Sequence, residues 1–492
     1  MDASPATVDF DDIQWPEHLV LPWLKSLNDE LTEKYGLPYS ESKNGKLKLN
    51  QMCFVGKFAM EHHVLFEGDE EQFYCYNDQN GLWELKSENW IKAEFARDLK
   101  LAADQYQRPG IALEATDGFT TALKNMLKGE IEKKAVFKKQ RGLVHVKNGV
   151  LDLNEQPPVL HAFVPEDYSR NQIPIEVDEA ADCPQFRDDV LCPALDDADI
   201  SLFQRWCGSV LLGVNDAQRL MILSGEGGTG KSTLATIVES IVGARNVAQL
   251  RTNHLADRFE LFGCVGKSLL TGKDVAGNFL NTDGAHVIKA LCGGDTVDAE
   301  KKGGGRVQLE GNFNILITSN SRLWLKLDGD ASAWERRLLI IEFNKKRTSK
   351  TVPNLAAKLI RDEGSGILNF MIEGAVMLLN ELEQHGGYVL TDAQKARVER
   401  LVSESDSVRS FVRSSVHKAV DGQVTTDELV EGYVRYCEQR GWHPLSAHAV
   451  ERQLPEAMMQ IHHASKRNDI MTLGGMHRGY AGMALKMEVV CR

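Results

Sequence analysis

Much of what this chain lacks narrows its class. It has no run of about 18 or more apolar residues, which excludes a membrane-crossing helix from the sequence pattern. Its opening stretch, MDASPATVDFDD, carries neither the basic nor the apolar region of a signal peptide. The expectation is a cytoplasmic protein, in the cytoplasm of whatever cell hosts it, with no membrane partner. The cysteines at 53, 75, 183, 192, 207, 264, 292, 437 and 491 form no C-x-x-C pair and no His/Cys cluster of zinc-ligand spacing. Reduced thiols and no structural zinc are therefore expected. His62-His63 and His462-His463 are adjacent, so neither pair can turn both rings to one metal from a helix. Internal repeats, low-complexity tracts and long charge blocks are also missing.

An excess of positive charge is missing too. The formal net charge is -13, which excludes a protein that coats nucleic acid over its whole surface, because phosphate binding needs local positive potential. Any DNA contact must be local. Residues 406–492 hold 11 Lys+Arg against 10 Asp+Glu, so the acidity lies before them and a terminal DNA-facing module is weakly favoured.

What is present is 492 residues with 42% hydrophobic content, enough for several cores and for three domains of about 150 residues. The boundaries expected are 1–190, a mixed α/β domain; 191–400, a motor domain; and 401–492, a winged-helix-like domain. In the first, Ile91, Phe95, Leu99 and Ala102 share a helical face, as do Phe119, Leu123, Met126, Leu127 and Ile131. LVHV, the turn Lys147-Asn148-Gly149-Val150, and LDL read as a hairpin, since Asn-Gly accepts the positive φ of a type I′ turn. In the last domain the pattern predicts three helices and then two strands. Thr425 and Glu428 form a capping box, Ser446 caps AHAVERQL before Pro455, and IMTL and GMALKMEVV flank a glycine tip at Gly474 and Gly475.

The most informative stretch is Gly225-Glu226-Gly227-Gly228-Thr229-Gly230-Lys231-Ser232, followed by Thr233. It is a full G-x-x-x-x-G-K-[ST] placed directly after an apolar strand and directly before TLATIVESIVG. Its backbone N–H groups and the helix start are suited to phosphates, Lys231 to the β/γ-phosphates, and Ser232 to a magnesium ion, so ATP and Mg2+ are the expected cofactors. Hydrolysis also needs a carboxylate at the end of a neighbouring strand. SLLTGKDV presents Asp274 there, as metal ligand and water-orienting acid; a turn or cap residue is the competing reading. The strand FNILITSN ends in Asn320, whose amide suits attacking water or the γ-phosphate, against a simple turn role. Arg336 and Arg337 precede the strand LLIIEF, where a guanidinium offered across a subunit boundary competes with a surface or salt-bridged pair beside Glu335.

The ordered series GEGGTGKST, LCGGDTVDAEKK, FNILITSN and WERRLLIIEF resembles the helicase domain shared by poxvirus-type and phage/plasmid primase-helicases, a branch of superfamily 3 within the AAA+ class. YNDQNGLWEL, VKNGVLDL and CPQF are similar to that family's N-terminal region, and DSVRSFV through RGYAGMALKM to its C-terminal extension. The resemblance thus runs from about residue 70 onward. It implies an α/β chain with an AAA+-type P-loop NTPase core, in which Lys231 and Ser232 are the Walker A residues and Asn320 is sensor 1. Arg336 or Arg337 is then an arginine finger acting in trans, and a hexameric ring follows. The activity implied is an ATP-dependent, 3′ to 5′ DNA helicase in replication of a phage, plasmid or other mobile element. Two residues depart from the pattern: Thr229 stands where relatives often have Asn, and Lys273 where many have glutamate. The second leaves Asp274 to serve metal and water alike. Fewer than about 100 residues precede the helices before the hairpin, too few for a polymerase domain, so a separate primase is expected alongside other replication proteins.

For single-stranded and forked DNA, TVDAEKKGGGRVQLEG reads as a hairpin with Lys301, Lys302 and Arg306 at its tip, lining the pore of a ring. In the last domain Lys466, Arg467 and the wing-tip Arg478 are the candidate duplex contacts, with the helix after Ser446 for recognition; a protein contact is the alternative. Two other functions compete. One is a P-loop kinase, disfavoured by the ordered Asn320 and Arg336/Arg337 elements. The other is an ATP- and DNA-binding initiator or switch with little or no unwinding, which Lys273 favours.

Overall fold

The computed structural model describes residues 30–43, 46–137, 142–251, 257–282, 284–300, 306–327, 331–345, 352–472 and 475–486. These are mixed α/β throughout and divide into two units: one takes its described residues from 30–137 and 160–171, the other from 142–159 and from 172 onward.

The first unit runs α1 (Gln51–Glu61), β1 (Val64–Glu67), β2 (Gln72–Asn77), β3 (Leu82–Lys86), α2 (Glu88–Gln105), α3 (Asp117–Ile131) and the short β4 (Glu132–Lys133). The strands lie in the order β3-β2-β1-β4, with β4 parallel to β1. Ser87 and Thr116 cap α2 and α3 by accepting from the N–H groups of Trp90 and Phe119. Ile91, Phe95 and Leu99 of α2 are fully buried, as are Leu123 and Leu127 of α3, so both apolar stripes read from the sequence face one core. Each such side chain contributes about 1.5–3 kcal/mol of burial.

The second unit begins with the hairpin β5 (Leu143–Val146) and β6 (Gly149–Asp152). Its register pairs Val146 with Gly149, so the corner residues are Lys147 and Asn148, one position earlier than Asn-Gly. Neither has positive φ. Asn148 instead uses its side chain on both backbone groups of Val177, each at 3.0 Å, which decides the turn. Helix α4 (Asp197–Leu212), capped by Asp196, then leads to the parallel sheet.

That sheet is built from β7 (Leu220–Gly225), β8 (Val247–Gln249), β9 (Leu269–Gly272), β12 (Asn314–Ser319) and β13 (Leu338–Phe343). The order is β8-β9-β12-β7-β13, every pair parallel. Strands buried on both faces need near-continuous apolar sequence, which LMIL, LLT, NILIT and LLII supply. One face, with Met221, Leu223, Leu339 and Ile341, packs against α4, α5 (Lys231–Val242) and α8 (Leu355–His385). There α4 and α8 approach so closely that a Cβ on Gly208 would lie 2.1 Å from the Ala375 nitrogen, and one on Gly374 1.9 Å from the Gln204 carbonyl. The other face, with Leu220, Ile222, Ile315 and Ile317, packs against α6 (Ala285–Gly293), the short α7 (Ala331–Glu335) and α9 (Asp392–Ser405). Between α6 and β12 stands the antiparallel pair β10 (Thr296–Glu300) and β11 (Arg306–Glu310).

The C-terminal part adds α10 (Ser407–Ser415), β14 (Val416–Thr425), α11 (Thr426–Gln439), α12 (Ala447–His462), β15 (Arg467–Thr472) and β16 (Gly475–Leu485), with sheet order β14-β16-β15. Two features differ from the sequence reading. Val416–Thr425 is a third strand, broken by a register shift between Lys418 and Gln423 that hides its alternation. Helix α12 continues through Pro455, because Leu454, Ala457 and Met458 bury its face on both sides of the proline. That burial outweighs the roughly 3 kcal/mol a helix-interior proline costs. No helix among the described residues is long and apolar enough to cross a membrane.

Candidate nucleotide site

The glycine-rich loop at residues 225–232, read from its spacing as a P-loop, joins β7 to α5 at the carboxyl edge of the sheet, where parallel strands leave helix N-termini free for anions. Gly225 has φ 141° and lies so near β13 that a Cβ would sit 2.5 Å from the Phe343 carbonyl. Gly228 and Gly230 have φ of 81° and 103°, and Cβ atoms built on Gly227, Gly228 or Gly230 would meet nothing within 4 Å. The loop therefore keeps an open cradle of backbone that side chains would fill. Lys231 is buried at its rim, donating from Nζ to the carbonyls of Gly225 and Glu226, both at 2.8 Å, and to Thr229 Oγ1 at 3.1 Å. Thr229 in turn donates to the Glu226 carbonyl at 2.9 Å. Burial holds the Lys231 ammonium below the ordinary lysine range, and the Asp274 carboxylate pulls it partly back. Ser232 is exposed in the first turn of α5, with Thr233 half-buried beside it. Cradle, ammonium and hydroxyl fit a nucleoside triphosphate with its magnesium ion.

Asp274 and Asn320 meet just beyond the ends of β9 and β12. Asn320 Nδ2 donates to Asp274 Oδ1 at 2.6 Å, and the Asp274 N–H donates to Thr318 Oγ1 at 2.9 Å. Asp274 adopts φ 52°, a left-handed turn that carboxylate residues tolerate better than most. Both side chains are exposed toward the P-loop edge. Lys273 is drawn away from it: its Nζ lies 2.7 Å from Glu239 Oε2 on α5, while Glu239 Oε1 accepts from Thr271 Oγ1 at 2.7 Å.

The two arginines part company. Arg337 is buried: its Nη1 donates to the Ala333 carbonyl at 3.0 Å and its Nε to the Lys289 carbonyl at 3.3 Å, and Gly293 leaves the room it fills. Its fixed carbonyls mark it as an internal brace of α6, α7 and β13. Arg336 is exposed. Both sit at the amino edge of the sheet, since the Arg337 carbonyl accepts from the Leu220 N–H while Gly225 pairs with Phe343 at the other edge. Six residues of strand, roughly 20 Å, separate Arg336 from its own chain's P-loop.

Against known proteins, a model for a family of unknown function (DUF5906) matches residues 223–337, under a quarter of the chain. No curated protein matches. Among solved structures, the A form apo structure of the NrS-1 C-terminal region is 12% identical over 87% of this chain and 99% of that one, with a TM-score of 0.47. Two structures of NrS-1 residues 305–718 are each 13% identical, with TM-scores of 0.44, over 87% of this chain and 98% of theirs.

The strands β10 and β11 form the expected hairpin arms, with Arg306 in register with Glu300; Lys301 and Lys302 lie outside the described residues. In the C-terminal part Lys466 is half-buried, and exposed Arg467 forms a two-pronged pair with Asp469 at 2.8 and 2.6 Å. Arg478 is exposed, but Arg467 pairs with Gly479 while the tip pairs Thr472 with Gly475. Arg478 therefore stands near the base of the hairpin, not at its tip, because β16 is long.

Three arginines escaped the sequence reading. Arg322 pairs with Glu404, Arg397 with Asp199 at 2.7 Å, and Arg400 with Glu342, all close to the P-loop edge. No sequence signal singles out Arg397 and Arg400 within the charged stretch QKARVER. Only Arg322, two residues past Asn320, carried a positional hint.

Proposed function

We propose that this chain is an ATP-dependent DNA helicase of the superfamily 3, AAA+ type, acting as a hexameric ring in replication of a mobile element. The observation that carries the reading is the convergence of Lys231, Asp274 and Asn320 on the carboxyl edge of a parallel sheet whose P-loop strand lies between the Asn320 strand and β13. A P-loop kinase needs no Asn320 joined to Asp274 and no exposed arginine beyond reach of its own site.

In this reading Lys231 leaves the Gly225 and Glu226 carbonyls to neutralise phosphate charge, Ser232 and Asp274 hold magnesium, and Asn320 keeps Asp274 oriented while its amide positions attacking water. Bound magnesium supplies Lewis-acid polarisation of the phosphoryl oxygens. Arg336, too far from its own P-loop, is presented to a neighbouring subunit. The C-terminal order of helix, strand, two helices and hairpin supports a winged-helix module for duplex DNA. Cytoplasmic location, a separate primase and an N-terminal family-type domain complete the reading.

A second reading is favoured by one observation: Lys273, pinned by Glu239, leaves Asp274 as the one acid at the end of β9. A site of that kind suits an ATP- and DNA-binding switch that assembles without unwinding. Single-turnover ATP hydrolysis with and without single-stranded DNA, beside strand separation on a tailed duplex, separates the two. DNA-stimulated turnover with unwinding supports the motor; nucleotide-dependent assembly without turnover replaces it with the switch.

A further inference from the structure

Beside the P-loop the carboxyl edge opens into a cavity of about 420 Å3. Ser224, Gly225 and Glu226 form one wall, Asn320 stands at its margin, α9 forms the facing wall, and His443 from the loop between α11 and α12 borders it. The three ion-paired arginines all line this space, but they are held with different strength. Arg322 is paired to Glu404, whose side chain is 3% exposed and whose Oε1 has no hydrogen-bond partner among the described residues. Removing Arg322 would strand a buried charge, which is strongly unfavourable. Arg397 is paired to Asp199, 4% exposed, and also donates to the Ile340 carbonyl at 3.2 Å. It is fixed for the same reason.

Arg400 differs. Its side chain is 48% exposed and its partner Glu342 is 25% exposed, the solvent-screened kind of pair that contributes little. When Arg400 leaves, Glu342 still has Arg397 Nε at 3.9 Å, so no carboxylate is stranded. The acids Glu226, Glu342 and Glu404 offset the three arginines in formal charge, so an incoming anion gains a new partner only from a cation that can be detached.

The geometry points to Arg400 as a further phosphate-binding residue of the nucleotide site, one that exchanges Glu342 for the polyphosphate of a nucleoside triphosphate seated on the P-loop. This rests on the nucleotide reading of that loop. It makes α9, which runs directly into α10 of the C-terminal part, a reporter of nucleotide occupancy.

The test is ATP binding by calorimetry on the full chain, for wild type, Arg400→Ala, Arg400→Lys, Glu342→Gln and Lys231→Ala, beside the nucleotide-free melting temperature of each. Loss of a charge-assisted phosphate contact predicts a fall in ATP affinity of roughly tenfold or more in Arg400→Ala. Arg400→Lys recovers part of it, as a point charge without the fork. Glu342→Gln, which frees Arg400, tightens binding severalfold, and that gain disappears when Glu342→Gln is combined with Arg400→Ala, a dependence that a merely structural arginine would not produce. Wild-type affinity in Arg400→Ala, with binding lost in Lys231→Ala, overturns this inference and leaves the P-loop reading intact. Equal binding in Lys231→Ala and wild type overturns the P-loop reading beneath it. A weaker Arg400→Ala that also melts lower, with no tightening in Glu342→Gln, assigns Arg400 to packing and overturns the inference too.

Discussion

At the carboxyl edge of the parallel sheet, Lys231, Asp274 and Asn320 are brought together beside a glycine loop whose Gly227, Gly228 and Gly230 no neighbouring side chain crowds. At the amino edge Arg337 is sealed among backbone carbonyls while its neighbour Arg336 is exposed. Both edges carry charge, yet their polar groups have different tasks. Where partners are other movable side chains, as with Asn320 and Asp274, the group can be redirected to a ligand. Where the partners are carbonyls of packed helices, as with Arg337, the charge is committed to the fold; the carbonyls that hold Lys231 belong to the open glycine loop itself. Two adjacent arginines that sequence could not rank are ranked by that distinction.

The largest effect expected is at the first edge. Lys231→Ala should abolish ATP hydrolysis, measured as phosphate release with and without single-stranded DNA; unchanged turnover would sink the site assignment. Because the Lys231 ammonium is held below the ordinary lysine range, and phosphate binding needs it charged, wild-type ATP affinity should fall as pH rises through that lowered pKa. Asp274→Asn keeps the Asn320 contact in outline but removes the carboxylate. It should cut turnover on the order of a hundredfold or more, with nucleotide binding retained. If Asp274→Asn turns over normally, another group carries the metal and the comparison of edges loses its premise.

At the second edge the two arginines should fail differently. Arg337→Ala leaves a cavity and takes the guanidinium from the Lys289 and Ala333 carbonyls, so it should destabilise the fold by roughly 2–4 kcal/mol in chemical denaturation. Arg336→Ala should melt as wild type but lose turnover in the assembled protein. Mixing Arg336→Ala subunits with Lys231→Ala subunits should then restore part of the activity, since each mixed interface can pair an intact P-loop with an intact arginine. No rescue in rings shown to be mixed would remove Arg336 from the site; wild-type stability in Arg337→Ala would undo the contrast from the other side.

Sequence made four of the five strands of the parallel sheet legible because doubly buried strands are apolar runs and because the P-loop is read from spacing; the short edge strand β8, VAQ, is only half-buried and carries no such run. LLIIEF matches β13 residue for residue, and FNILITSN contains β12. The β10–β11 hairpin and both helix stripes of the first unit were legible for the same reason, a period with few interruptions. What stayed hidden depended on distant partners. Asn148 turns where it does because Val177 is beside it, α12 survives Pro455 because its face is buried, and β14 loses its alternation at a register shift. Arg397 and Arg400 look like any exposed helical pair until α9 is laid along β13.

Asp98 on α2 carries the comparison into the first unit, at the smallest scale. It is buried, its Oδ2 has no hydrogen-bond partner among the described residues, and desolvation raises its carboxyl from the usual 3.8 to about 6. Lys57 nearby opposes that shift and Glu61 reinforces it. A carboxyl raised in the folded state binds its proton more tightly there than in the unfolded chain. Below about pH 4 both states are protonated and the fold bears no penalty; as pH rises through 6 the folded state must ionise a buried group and loses stability. Asp98→Asn should therefore stabilise this unit by on the order of 2–3 kcal/mol at pH 8, with the gain shrinking to nothing near pH 4. Urea unfolding of both proteins at the two pH values reads the difference. A gain independent of pH would mean that packing rather than ionisation governs the site, and an Asp98→Asn protein less stable at pH 8 would mean the carboxylate has a partner there, making it a committed charge of the Arg337 kind.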